Sequence, residues 1–396
     1  MNISAVICEF NPFHKGHEYL LQKMRNEGVS HIIAIMSGDF TQRGDCAAMN
    51  KFARAKAAVL CGADLVIELP TVWAMSGAET FARGGVQIAN SLNCVDSLFF
   101  GSECGDENQL IKISNFILEE NEKIKEKIKT GNYYARAVTE SVRETLGDEY
   151  ADILMSPNNT LGIEYINALK KTESKITPKT IKRFGAEHNS DSAVYGIASA
   201  SMIRNLINEN LDNVKNYLPD ACFEVLMEEI SLKRASADIS NIERAILGKL
   251  RTMNKEELSY IAGVNEGLEN RIFDAIKTET SLNLTIEKIK TKRYIHARIR
   301  RILLSAFLGI TRDFSEGSVP YLRILAFNEK GTELMKIIKK NSNLPMITKP
   351  SCEIQKLDSY GKSIFNINLI ASDLYQLSTP DIQPCGLDFS IGTIKL

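Results

Sequence analysis

The first hundred residues alternate short apolar runs with stretches of helical period, and that alternation leaves few folds open. Ile3 to Phe10, His31 to Met36, Ala63 to Leu69 and Val95 to Phe100 are each long enough for a buried strand and rich in β-branched or aromatic residues. Between them Leu20, Leu21 and Met24, then Phe52, Ala55, Ala58 and Val59, recur at helical spacing, and Ser76 to Leu92 continues the pattern. Strand and helix in turn predict an α/β, Rossmann-like domain with a doubly wound parallel sheet. In such sheets ligands lie beyond the carboxyl ends of the strands. Four segments therefore share one rim: His14 to His17, Ser37 to Gly44, Glu68 to Thr71 and Gly101 to Glu103.

The first of these has the makings of a phosphate site. Asn11-Pro12 ends the strand, because the residue before proline avoids helical torsions. Helical spacing begins at His17, so His14 and His17 straddle a strand-to-helix turn with Gly16 between them. A helix start offers unpaired N–H groups and positive dipole, and glycine lets the main chain approach a ligand. Two imidazoles there can donate hydrogen bonds to charge developing on a phosphoryl oxygen. On the same rim, Asp39, Gln42 and Arg43 sit between two glycines in a candidate binding loop. Lys51 and Arg54 follow at a helix start, where they oppose the dipole but can face a polyphosphate.

Residues 105 to 150 read as lysine- and glutamate-rich helices, an insertion or lid. Pro157 then launches a helix that Asn158, Asn159 or Thr160 can cap; the surplus amide can read an adenine edge or a ribose hydroxyl. A strand at Lys179 to Arg183 precedes His188, and Ser199 and Ser201 stand ahead of Arg204 at another helix start. From 205 onward the pattern is mostly helical, which divides the chain into residues 1–204 and 205–396. Within the second part, Ile286 to Arg301 carries seven cations (Lys288, Lys290, Lys292, Arg293, Arg298, Arg300 and Arg301) against Glu287 alone. Ile295, Ile299, Ile302, Leu303 and Ala306 trace an apolar stripe, so the stretch reads as one helix with a core face and a basic face. Tyr294 and His296 among the charges can stack on a base. Such uniform sign on a chain of net charge −1 costs self-repulsion unless an anion is present, so RNA backbone is the expected partner.

No apolar run reaches membrane-spanning length and the amino terminus lacks a basic-then-apolar signal, so a cytoplasmic protein is expected. Eight cysteines show neither a CxxC pair nor zinc spacing, which predicts free thiols and no metal cluster. Three readings stand: the RNA-modifying ligase that a family resemblance implies, a transferase moving AMP onto a small cofactor precursor, and a non-enzymatic RNA binder. The second leaves the basic stretch idle; the third leaves the histidine turn without purpose.

HKGH resembles the HxGH motif of the nucleotidyltransferase superfamily. With SGDFTQRG, NKFARAK, ADLVIELP, FGSE, SPNNTLGIEY, RFGAEHN and IASASMIR in this order, nearly the whole chain resembles the bacterial tRNA(Met) cytidine acetate ligase family. The resemblance implies that ATP and acetate form acetyladenylate. The acetyl group then passes to N4 of the anticodon wobble cytidine of elongator tRNA(Met), giving N4-acetylcytidine. It also implies His14 and His17 as catalytic groups, with Mg²⁺ accompanying ATP. The implied ATP contacts are Ile7, Cys8, Glu9, Phe10, Asn11, Pro12, Phe13, Lys15, Gly16, Glu18, Tyr19 and Leu20, then Gly101, Asn158 or Asn159, Arg183, His188, Ser201 and Arg204. Lys51, Arg54 or Arg204 would hold the leaving pyrophosphate. The visible departure is Ala198-Ser199-Ala200-Ser201, where many nucleotidyltransferases have Ser-Ser-Thr.

Overall fold

All four predicted strands form: β1 (Ile3–Cys8), β2 (His31–Ser37), β3 (Leu65–Leu69) and β4 (Ser97–Ser102). The computed structural model describes residues 1–129, 133–183, 196–265, 267–291 and 294–396. With β5 (Thr177–Lys182) these strands run parallel in the order β5-β4-β1-β2-β3. Alternation along each strand loads both faces with apolar side chains. Ala5, Ile7, Ile33, Ile35 and Ile67 face one core; Val6, Ile32, Ala34, Met36 and Val66 face the other. The covering helices are α1 (Lys15–Asn26), α2 (Lys51–Leu60), α3 (Ala78–Ser91), α4 (Glu107–Glu119), α5 (Tyr134–Leu146) and α6 (Pro157–Lys171). The chain winds from β1 to β2 and β3, then crosses back to β4 and β5. A crevice therefore opens between the carboxyl ends of β1 and β4.

The second part is mostly helical, yet it also completes the sheet. β6 (Leu322–Phe327) lies antiparallel to β3, with Leu65 opposite Phe327, and β7 (Met346–Ile347) and β8 (Ile394–Lys395) flank β6. The β3 edge of the five-stranded parallel sheet is thus covered by chain from residues beyond 320.

The basic stretch departs from its prediction as a single helix. It forms α8 (Leu282–Ile289) and α9 (His296–Leu308), with α7 (Ala200–Glu209) earlier in the chain. Lys290 leaves the helix at φ −54°, ψ 139°, and Thr291 and Tyr294 exchange backbone hydrogen bonds of 3.2 Å. The break reverses two side chains. Tyr294 is buried beneath the Arg298 guanidinium, 4.9 Å from its ring centroid, so it cannot stack on a base. Ile295, placed on the core stripe by spacing, is 61% exposed, whereas Ile299, Ile302, Leu303 and Ala306 are buried as expected. Lys292 and Arg293 lie outside the described residues.

Candidate active site

Between β1 and α1 the chain turns at Phe10, a buried residue with φ +45°, a conformation that costs a non-glycine residue about 1–3 kcal/mol. His14 is then the N-cap of α1. Its Nδ1 accepts from Gly16 N–H at 3.0 Å, and His17 Nδ1 accepts from His14 N–H at 3.2 Å, a reciprocal capping box made by two imidazoles. A Cβ on residue 16 would sit 2.8 Å from His14 Cε1, so glycine is what lets the ring fold back. The two rings stack with centroids 3.7 Å apart, and Phe10 and Phe13 pack against His17.

This network settles the tautomer. Each Nδ1 accepts a backbone proton, so each neutral ring carries its hydrogen on Nε2. Burial, with Arg183 and Arg204 nearby, pushes His14 down to about 3. Burial, with His14 and Arg183, holds His17 well below its ordinary value. At neutral pH the corner therefore presents two neutral Nε2–H donors whose geometry is fixed before any ligand arrives.

Both histidines line a cavity of 220 Å³, joined by Ile7, Cys8, Glu9, Phe10, Asn11, Leu20, Gly101, Asn158, Arg183, Ser201 and Arg204. A smaller pocket shares His14, His17, Leu20, Gly101 and Arg183 and adds Gly16 and Tyr19. Cations from three segments converge here. Arg204 donates to Asn11 O at 2.9 Å and to Ser201 Oγ at 3.1 Å, and Arg43 reaches the same Oγ at 3.3 Å. The hydroxyl at 201 thus survives the departure from Ser-Ser-Thr, while Ser199 Oγ caps α7 by accepting from Met202 N–H.

The two asparagines separate. Asn158 lines the cavity and donates to Glu103 Oε1 at 2.6 Å. Asn159 is buried with its amide spent on Glu103 N, Cys104 N and Ile153 O, so it is structural and offers nothing to a nucleotide. Neither these two nor Thr160 is the N-cap of α6: Ser156 holds that position, and the Glu103 carboxylate accepts from Asn159 N–H instead.

Other expected contacts turn away. Pro12 and Phe13 are packed inside, Lys15 Nζ donates to Asn216 O, and Glu18 lines neither pocket. Lys51 and Arg54 are fully buried and cannot hold pyrophosphate. Lys51 pairs with Glu68 at 2.9 Å and Asp388 at 2.8 Å, and Arg323 stands 3.5 Å from Asp388. Arg54 donates to the carbonyls of Glu9, Ser37, Gly38 and Met49, tying together the strand ends behind the site. His188 lies outside the described residues.

The basic stretch meets this region through its second helix. Arg301 donates to Gln42 O at 3.0 Å, Arg300 stands 3.9 Å from Asp45, and a Cβ on Gly44 (φ +73°) would strike Arg301 N at 2.7 Å. Arg298 donates to Asn265 Oδ1 and Gly263 O. Lys288 and Lys290 pair with Glu279 and Glu287, at 2.7 and 3.5 Å. Part of the expected basic face is therefore already neutralised.

Sequence reasoning missed the apolar wall. Phe81, Phe99, Phe100, Leu161 and Tyr165 line the cavity, but each sits where ordinary helix or strand core is expected, so no local signal marks it. All eight cysteines are free; of the two that line the cavity, burial pushes the thiols of both Cys8 and Cys46 up, so neither is a nucleophile. Among the described residues no three His, Cys, Asp or Glu side chains cluster to hold a metal, and no helix is long and apolar enough to cross a membrane.

An α/β sheet with an HxGH turn at the carboxyl end of its first strand defines a nucleotidyltransferase-type protein, and the sequence matches the HIGH Nucleotidyl Transferase family over residues 1–386. The tRNA(Met) cytidine acetate ligase of Thermoanaerobacter sp. is 40% identical over 405 residues, covering 100% of both chains. The ligase of Acetivibrio thermocellus is 36% identical over 409 residues, covering 98% of this chain and 99% of its own. Two crystal structures of Thermotoga maritima TmcAL, each 33% identical and covered over 100% of both chains, match the fold. The TM-score is 0.95 for the apo form and 0.94 for the form bound with alpha-thio ATP. The chain belongs to the tRNA(Met) cytidine acetate ligase family.

Proposed function

We propose that this protein condenses ATP with acetate to give acetyladenylate and pyrophosphate, then transfers the acetyl group to N4 of the wobble cytidine of elongator tRNA(Met), releasing AMP. The observation that carries the reading is the pair of preset Nε2–H donors at the start of α1, inside a cavity that also holds Arg43, Arg183 and Arg204. Attack of acetate on the α-phosphate builds negative charge on phosphoryl oxygens, and donors already aimed there need no reorganisation. Gly101, Asn158 and Arg183 are the groups for the nucleoside side, and Arg43, Ser201 and Arg204 are those for pyrophosphate. Mg²⁺ would travel with the triphosphate and neutralise its charge. Glu9 and Asp45, the carboxylates in the wall, suit an ion held mainly by phosphate. Residues 1–204 would carry adenylation, with 105–150 as a helical insertion, and 205–396 the tRNA surface through Arg298, Arg300 and Arg301. A cytoplasmic location follows from the substrate.

Incubation with ATP, labelled acetate and bulk tRNA tests all of this at once. Label in the tRNA, recovered as N4-acetylcytidine, supports the reading. Pyrophosphate release with a small acceptor and no label in RNA would instead point to a cofactor adenylyltransferase.

A further inference from the structure

A second and larger cavity lies across α6 and α3 from the histidine corner. It encloses 680 Å³, within the range that takes a small organic ligand. Its walls come from both halves of the chain: Met75, Glu79, Tyr134 and Glu164 from one side, Arg298 and Arg301 of α9 from the other. The partition from the nucleotide cavity is one helix thick. Leu161 and Tyr165 of α6 point into the first cavity, while Thr160, Ile163 and Glu164 line the second. Arg301 belongs to the second, yet its guanidinium binds the carbonyl of Gln42, which lines the first.

The chemistry of the walls is specific. Tyr134 is 52% exposed, an aromatic face open to the cavity at a helix start. Among the described residues Glu164 accepts a single long bond, 3.4 Å from Asn167, and burial with the neighbouring Glu79 charge pushes its carboxyl up; Glu79 itself pairs with Lys171 at 2.8 Å. On the opposite wall, burial and the adjacent Arg298 charge hold the Arg301 guanidinium down at about 10. An occupant must therefore offer a flat face, an N–H donor for Glu164 and an anion for the two arginines. An unpaired nucleotide whose base bears an exocyclic amine offers all three.

We propose that this cleft receives an unstacked amino-bearing nucleotide, cytidine or adenosine, from the anticodon loop of the acceptor RNA. Its base lies on Tyr134, its amine donates to Glu164, and its phosphate meets Arg298 and Arg301. The placement rests on the acetyl-transfer reading above, and it explains why the basic helix is docked against the loop bordering the catalytic cavity.

Two measurements on the full-length protein test it separately from that reading. Acetate-dependent ATP–pyrophosphate exchange reports adenylation without RNA, and fluorescence anisotropy of a labelled anticodon stem-loop reports RNA binding without chemistry. Glu164→Gln and Tyr134→Ala are each expected to weaken stem-loop binding and raise the tRNA KM by about 5- to 100-fold, leaving exchange unchanged. Replacing the loop's amino-bearing bases one at a time by uridine should abolish the Glu164→Gln effect at one position. Unchanged stem-loop binding in both variants overturns the proposal. Exchange lost along with binding also overturns it, because the residues would then be shaping the nucleotide cavity. Absence of exchange in the parent protein, with stem-loop binding still sensitive to Glu164, sinks the ligase reading and leaves the cleft assignment standing.

Discussion

Replacing His14 by asparagine separates two jobs that alanine would remove together. His14 caps α1 through Nδ1 and presents Nε2–H to the cavity. Loss of the cap alone costs about 1 kcal/mol of stability, and asparagine is among the best residues at that position. Loss of a donor aimed at transition-state charge costs about 2.7–4 kcal/mol, or 10²–10³-fold in rate. His17 keeps its orientation in either variant, because its Nδ1 partner is the backbone N–H of residue 14. His14→Ala should therefore melt lower and lose exchange, whereas His14→Asn should regain the melting temperature and still lose exchange by the same 10²–10³-fold. Both are read from differential scanning fluorimetry and acetate-dependent ATP–pyrophosphate exchange at saturating ATP. If exchange in His14→Asn returned in step with its stability, the imidazole would be a cap and nothing more.

The same residue has a signature in pH. Its folded value of about 3 lies below the usual 6.5, so the unfolded chain binds the extra proton and stability falls as pH drops through 6.5. By about pH 4 the parent should lose roughly 3 kcal/mol relative to His14→Asn, measured by urea unfolding; a pH-independent difference refutes the buried neutral ring. Asp388→Asn removes one partner of the enclosed Lys51 and Arg323 and should cost about 3–5 kcal/mol, visible as a lower denaturation midpoint. Asn158→Ala should raise the KM for ATP with the fold intact, whereas Asn159→Ala, which strips the acceptor from Glu103 N and Cys104 N, should act on stability. Arg298→Gln should weaken tRNA binding and reduce its salt slope, and a slope equal to the parent's would remove this residue from the RNA surface.

What could be read in advance followed the physics of each segment. β1 to β4 were legible because both faces of a parallel sheet are apolar, and the HKGH turn because its neighbours break a strand and begin a helix. Lys51 and Arg54 misled, since a charge at a helix start looks solvated until its carboxylates and carbonyls arrive from as far away as residue 388. The membership of β6 was hidden for the same reason: a pairing across more than 250 residues leaves no local trace. The break between α8 and α9 turns on Thr291 closing a loop with Tyr294, a contact that helical periodicity does not encode. The tautomers of His14 and His17 leave no trace in the sequence, because they depend on which ring nitrogen faces the main chain.

The clasp of Asp388 on Lys51 and Arg323 has a consequence for how the enzyme is born. During synthesis Lys51 and Glu68 leave the ribosome together, but Arg323 and Asp388 follow more than 250 residues later, so this cluster of buried charges closes only when the chain is nearly complete. The packing behind the HKGH turn thus reaches its final form only after residues 323 and 388 have been translated, and a chain truncated before them would leave Lys51 with Glu68 alone.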